Sequence, residues 1–372
     1  EPHVIVIEGI FAHRDELALA EALDVGKPIS QTYNAEVDET AEAIRWYADA
    51  LDKVHDEVLS SPEHALLTVT REPIGVIGAI VPWNFSIIIA AWKFAPALAT
   101  GNSVVLKPSE LSTLPALILA RLAAEAGIPD GVFNVVPGRG ESVGSALSQH
   151  PDVDKITFTG STATARRVVM DAAASNMKSV SIEAGGKSPH VVFGDVEDWD
   201  RLVDTIAGSI YYNAGQACTS GSRVMVHESV HERLVADLVA KSASWAPADP
   251  LAAATQMGPI ASRAQLDGIL AKLAANTSGT VVTGGHIAEP VAGGFYLEPT
   301  IIDGVDNASP IAQQEIFGPV LTISTFRGDD EALRLANDTV YGLAAGVWTG
   351  SLTRAHRFTR ELRAGIVWAN DF

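Results

Sequence analysis

The stretch Ile74-Gly75-Val76-Ile77-Gly78-Ala79-Ile80-Val81-Pro82-Trp83-Asn84-Phe85 decides the fold. The apolar run from Pro73 to Trp92 is long enough to raise a membrane span, yet Pro73, Gly75, Gly78, Pro82 and Asn84 break it within one helix length. It therefore reads as strand, turn, helix. The Ile- and Val-rich 74–81 suits a strand buried on both faces. Working outward, strands alternate with helices: 104–106 precedes a helix over 116–126, 132–136 precedes 141–148, and 155–159 precedes 163–174. After strands at 179–182 and 190–193, a second series opens with a helix over 199–214 and a strand at 223–226, and runs to Trp368. This alternation predicts right-handed crossovers and parallel sheets covered on both faces. Upstream, 14–23 and 36–58 carry helical periodicity, broken at Lys27-Pro28, and 66–69 reads as strand.

A chain of 372 residues, 47% hydrophobic with 31 glycines, has room for two α/β domains and no disordered bias. Its formal charge of −19 and lack of clustered Lys and Arg exclude a nucleic-acid partner, and the broken apolar run excludes a membrane. No signal peptide opens the chain, which predicts a cytoplasmic protein, and the start at Glu1 without methionine predicts a missing N-terminal segment.

Cys218 is the only cysteine, so neither an internal disulfide nor a Cys-rich zinc site is available. An inert core thiol or a nucleophile remains. Ala214, Gly215, Gln216, Ala217, Thr219, Ser220 and Gly221 surround it with small and amide-bearing side chains, a setting that admits a substrate. Ligands of an open parallel sheet sit beyond the carboxyl ends of its strands. Four loops there stand out: Pro82-Trp83-Asn84-Phe85, Lys107-Pro108-Ser109-Glu110, Thr159-Gly160-Ser161-Thr162 and Glu183-Ala184-Gly185-Gly186-Lys187.

With Asn213 to Cys218 and Glu315-Ile316-Phe317-Gly318-Pro319-Val320, these motifs follow one another as in the NAD(P)-dependent aldehyde dehydrogenases, and the chain resembles that superfamily over nearly its whole length. Glu-Ala-Gly-Gly-Lys-Ser and the wording of 74–100 are most similar to gamma-glutamyl-gamma-aminobutyraldehyde and related aminoaldehyde enzymes. The resemblance implies two Rossmann-like doubly wound α/β domains: residues 1–54 and 74–184 bind NAD, 185–372 are catalytic, and 55–73 form a projecting β-ribbon of a homodimer or homotetramer. It implies Cys218 as nucleophile, Asn84 as oxyanion donor with the Cys218 N–H, Glu183 as the base for water, tuned upward by partial burial, and Lys93 in a proton path. It places NAD, with NADP possible, on Pro82, Trp83, Lys107, Ser109, Glu110, Gly160, Ser161, Glu315 and Phe317. Phe85 and Trp92, joined by Ala217 and Thr219, are expected to line the aldehyde tunnel. The chain ends before the family's glycine-rich C-terminal motif and last strand, and carries Ser86 where proline is usual and Ala184 where leucine is commoner.

Two alternatives differ in chemistry: a non-catalytic NAD-binding protein of the same fold, and a thiol hydrolase using Cys218 that needs no nucleotide. Two motifs mislead. His227-Glu228-Ser229-Val230-His231 fits a zinc pattern, but strand residues precede it and a capping box of Ser229 with Glu232 predicts a helix start between the histidines. Gly186-Lys187-Ser188 lacks the earlier glycine of a phosphate loop, since that position is Ser181. No metal site is expected.

Overall fold

The computed structural model describes residues 2–372. One unit comprises residues up to Asp24 together with Thr32–Glu183. Its helix Val37–Ala50 is shorter than the periodicity predicts, because Val54 turns extended (φ −90°, ψ 105°) and the chain enters a two-stranded antiparallel ribbon. That ribbon pairs β1 (Glu57–Val58) with β2 (Thr68–Val69), so Val58 belongs to a strand and not to the helix.

The unit's sheet has five parallel strands: β3 (Val76–Ile80), β4 (Ser103–Lys107), β5 (Phe133–Val135), β6 (Lys155–Thr159) and β7 (Ser179–Glu183). Their order is β5-β4-β3-β6-β7, so the chain works outward from β3 to one edge and then crosses to the other side. The switch falls between β3 and β6, where a doubly wound sheet offers a crevice. Helices Ser86–Ala99, Leu114–Glu125 and Thr162–Ala174 make the crossovers. The expected helix at 141–148 is instead a π turn over Gly140–Gly144 continued by Ser145–Gln149. Ile80, Ile156, Phe158, Ala165 and Val168 form a core between sheet and helix.

The second unit joins Val25–Gln31 to Ala184–Phe372. Its remaining strands are β8 (Pro189–Val192), β9 (Arg223–His227), β10 (Thr280–Thr283), β11 (Ile287–Ala288), β12 (Tyr296–Leu297), β13 (Thr300–Asp303), β14 (Val320–Phe326), β15 (Ala344–Trp348) and β16 (Ile366–Ala369). Seven of them form a sheet of order β10-β13-β14-β9-β8-β15-β16, parallel except for β10. Successive side chains alternate faces, so Val192, Val224 and Val226 enter one core with Leu202 and Ile206, whereas Val191 and Met225 enter another with Phe193 and Phe358.

The zinc-like pattern falls on separate elements. His227 ends β9, a 3-10 turn spans Glu228–Val230, and a helix begins at His231. The capping box does not form: Ser229 Oγ bonds the His227 ring at 2.7 Å, and the His231 helix has no side-chain cap. His231 instead meets Asp303 at 2.7 Å.

Candidate active site

In the first unit the strand ends are flush. Ile80 lies opposite Lys107 on one side and Phe158 on the other, and Thr159 lies opposite Glu183. With strands about 4.8 Å apart, the loops carrying Pro82 to Phe85, Lys107 to Glu110, Gly160-Ser161 and Glu183 leave one edge of four adjacent strands. Asn84 is 3% exposed, in the turn between β3 and its helix. That helix has no side-chain cap of its own, and Glu21 supplies one: its Oε1 accepts from the Ser86 N–H at 3.3 Å. The departure from proline at this position creates the donor, since proline has no N–H.

On the same helix Lys93 is buried and donates to Thr157 Oγ1 of β6 at 3.1 Å. Burial lowers its pKa to about 8, against the pull of the Glu183 charge. Glu183 itself is exposed, where partial burial was expected, because β7 is an edge strand exposed along most of its length. Trp92, on the helix, is 54% exposed, and Phe85, its non-helical N-cap (φ −142°, ψ 67°), is half-buried.

Lys107 is buried beneath its loop, its ammonium donating to the Pro108 carbonyl at 2.7 Å and reaching Glu110 at 3.4 Å. Ser109 is buried and its hydroxyl accepts from the Leu111 N–H. Gly160 donates to the Glu183 carbonyl at 3.1 Å, and Ser161 caps the Thr162–Ala174 helix by accepting from Thr164. A cleft of about 760 Å³ opens here, lined by Ile80 and Phe158 and by the charged Glu110, Arg139 and Arg167. Apolar walls, charged side chains and the first turn of the Thr162–Ala174 helix are features a nucleotide site uses.

The second unit presents the opposite edge of its sheet. Pro189, Arg223 and Thr322 are in register, so the segments before β8, β9 and β14 share the amino-terminal edge. They bring together Gly185 to Lys187, the loop of Ala217, Cys218 and Thr219, and Glu315 with Phe317. The carboxyl-end rule finds the loops of the first sheet, with Gly185 to Lys187 following β7, and misses the Cys218 and Glu315 segments. At this sheet's own switch point, between β8 and β15, the strand ends are bridged by side chains: Arg354 pairs with Asp195 at 2.7 Å and Asp329 at 3.1 Å, and Thr349 bonds Asp195.

Cys218 is half-buried in a loop held from several sides. Asn213, Ala214 and Gly215 take left-handed φ of 48°, 53° and 71°, so the helix Trp199–Tyr211 ends earlier than 214 and the chain turns sharply. Gly215 lies so close to the Gly318 carbonyl that a Cβ would fall 2.2 Å from it. Gln216 accepts from the Ala261 N–H at 2.9 Å and donates to the Asn213 carbonyl at 3.0 Å.

Glu315 accepts from the Gly186 N–H at 3.1 Å, and a Cβ on Gly185 would fall 2.1 Å from its carboxylate. The glycine pair thus exists for close approach. Burial raises the Glu315 pKa, opposed by the Gly186 N–H and by Lys272 and Lys187. Phe317 takes a left-handed φ of 58°, its carbonyl held by Gln265 at 2.8 Å, while Lys272 donates to the Glu315 carbonyl at 2.7 Å. Gln265 and Lys272 escape sequence reasoning, lying some fifty and forty-three residues from the groups they hold. Lys187 is 1% exposed and its ammonium has no hydrogen-bond partner among the described residues; burial, Arg223 and Lys272 lower its pKa to about 7, with Glu315 opposing.

A first α/β unit edged with loops of the dinucleotide-binding kind, and a second with the chain's lone thiol on a loop backed by Gly186, whose N–H holds Glu315, suit an oxidoreductase of the nucleotide-dependent class. The profile described as the aldehyde dehydrogenase family matches residues 6–372, and the chain belongs to that family. It is 47% identical over 362 residues to the NADP/NAD-dependent aldehyde dehydrogenase PuuC of Escherichia coli K12, covering 97% of this chain and 72% of that one. Among solved structures, gamma-glutamyl-gamma-aminobutyraldehyde dehydrogenase of Burkholderia cenocepacia superposes with a TM-score of 0.97 at 49% identity, covering 100% of this chain and 76% of that one. The P. syringae indole-3-acetaldehyde dehydrogenase complexed with NAD+ and IAA reaches 0.98 at 48% identity, covering 100% and 75%.

Proposed function

We propose that the chain oxidises an ω-aminoaldehyde or related aliphatic aldehyde to the acid, with Cys218 as nucleophile. A planar carbonyl does not release its hydrogen as hydride, so a tetrahedral adduct must form first. The Cys218 thiolate attacks the carbonyl carbon and gives a thiohemiacetal, whose oxyanion is met by the Asn84 amide and the Cys218 N–H. Bound NAD(P) would supply the hydride acceptor, so that loss of hydride from the adduct leaves a thioester on the Cys218 sulfur. Glu183 takes a proton from water, the hydroxide displaces Cys218 as thiolate, and the acid leaves. Lys93, buried and titrating at about 8, relays that proton from Glu183.

The first unit is assigned to the dinucleotide and the second to the nucleophile. Lys107 and Glu110 hold the adenosine ribose, with Pro82, Trp83 and Ser109 beside it, and Gly160 and Ser161 offer helix N-terminal amides to the pyrophosphate. Glu110 repels a 2′-phosphate and favours NAD over NADP. Glu315 holds the nicotinamide ribose, with Phe317 alongside. Phe85, Trp92, Ala217 and Thr219 line the aldehyde path, and the charge of −19 favours a cationic tail. The enzyme is cytoplasmic and assembles as a homodimer or homotetramer through the β1–β2 ribbon. No helix among the described residues is long and apolar enough to cross a membrane.

The supporting observation is the only thiol of the chain, half-buried in a pinned loop at an edge shared with Glu315. An NADH absorbance assay over aminobutyraldehyde, its glutamyl derivative, betaine aldehyde, indole-3-acetaldehyde and simple alkanals tests the reading. Aminoaldehydes are expected to give the highest kcat/KM, with turnover requiring NAD and lost in Cys218→Ala. Preference for indole-3-acetaldehyde overturns the substrate class, and nucleotide-independent ester cleavage alone points to a thiol hydrolase.

A further inference from the structure

We propose that His190 is a positioning residue for the nucleophile loop, a neutral spacer that sets how deep the segment from Cys218 to Gly221 sits; the proposal rests on Cys218 being the nucleophile. His190 lies on β8 and is fully buried. Its Nε2 is 2.9 Å from Ser209 Oγ, and that hydroxyl donates onward to the Ile206 carbonyl at 2.8 Å, so Nε2 carries the proton. Its Nδ1 accepts from the indole N–H of Trp348 at 3.2 Å. A second proton on Nδ1 would face that N–H, so the bonding defines a single neutral tautomer. Burial agrees, lowering its pKa to about 3.

The imidazole occupies the space a side chain on Gly221 would need: a Cβ there would fall 2.0 Å from Nε2 and 2.9 Å from Ser209 Oγ. On its far side Gly346 of β15 also lies close, its Cβ position 3.2 Å from Nδ1, and the Phe372 ring packs at 4.1 Å. Gly221 is three residues from Cys218, with a turn between them closed by the Ser220 N–H on the Ala217 carbonyl. Four residues before His190, Gly186 backs the same loop, a Cβ there falling 2.4 Å from the Cys218 carbonyl. One segment, 186–190, therefore supports the loop at both ends. Shortening the imidazole lets the loop sink; adding a methyl at Gly221 pushes it out. Either moves the sulfur from its attack position.

Because Cys218 is the only cysteine, alkylation of the intact chain by iodoacetamide reports its placement without depending on turnover. Gly221→Ala and His190→Ala are each expected to slow alkylation and kcat, on the order of 10- to 100-fold, with NAD affinity by fluorescence titration unchanged. The double variant, in which the added methyl occupies vacated space, should recover at least part of the loss, a coupling that two independent stability defects do not produce. If His190→Ala does not fold, His190→Asn takes its place in the cycle. Alkylation at the parental rate in both single variants, or losses that simply multiply, overturns the proposal. If alkylation follows the predicted cycle while Cys218→Ala still turns over, the positioning role stands and the nucleophile assignment falls.

Discussion

In the proposed mechanism Asn84 and Glu183 have separable duties, so their variants should fail differently. Asn84→Ala removes one oxyanion donor and is expected to lower kcat about 10²–10³-fold for the first turnover as well as the steady state. Glu183→Gln should retain a stoichiometric burst of NADH while steady turnover falls by about 10²–10⁴-fold, because only deacylation needs the base. Rapid-mixing absorbance distinguishes the two, and a burst surviving in Asn84→Ala would contradict the assignment. Lys187 makes a stability prediction. Its ammonium is buried without a hydrogen-bond partner among the described residues and its pKa falls to about 7, so the charged form is disfavoured on folding. The unfolded chain then binds more protons between about pH 7 and 10.5, and stability rises across that window. Lys187→Met should therefore melt several degrees above the parent at pH 6, with the gap closing as pH approaches 10.5. A gap independent of pH would contradict this. Cys218 was legible in the sequence because a lone thiol among small residues is unusual; the Glu183-to-Lys187 loop was legible too, but not the burial of Lys187, a tertiary property that no motif states.

At the scale of elements, backbone approach governs the site. Gly186→Ala places a methyl against the Cys218 carbonyl, which belongs to a pinned loop and cannot swing away as a side chain would. The variant should lose activity about 10²-fold while circular dichroism stays parental; wild-type kcat would count against the packing. Most strands and crossover helices were legible, since buried Ile and Val runs punctuated by Gly and Pro leave little choice. The exceptions share a cause. The helix predicted to Val58 stops because residues 57–58 pair with 68–69, a contact that periodicity cannot see. Ser229 looked like a helix cap and bonds a histidine ring instead. The edge position of β7 leaves Glu183 exposed, and strand order, not strand content, decides that.

For the whole molecule, each sheet has its own edge in use: the proposed dinucleotide loops leave the carboxyl ends of the first, and the thiol loop lies at the amino ends of the second. The motif order identified the family, yet it gave no hint that Arg354 bridges Asp195, beyond β8 of the second sheet, to Asp329. A ligand that binds only the folded chain raises its apparent stability, by about 2.7 kcal/mol at a hundredfold excess over Kd. NAD should thus raise the melting midpoint measurably and NADP less at equal concentration, with Glu110→Ala narrowing the difference. Equal shifts in the parent would remove the argument for Glu110.

The proposed chemistry requires a covalent bond to the Cys218 sulfur. Acid-quenching the chain within one turnover of NAD and aldehyde, then mapping the adduct by peptide mass spectrometry, reads it directly. The acyl group of the substrate is expected on Cys218, accumulating further in Glu183→Gln. NADH formation with no acyl-Cys218 at any quench time in either protein, and persisting in Cys218→Ala, would contradict it.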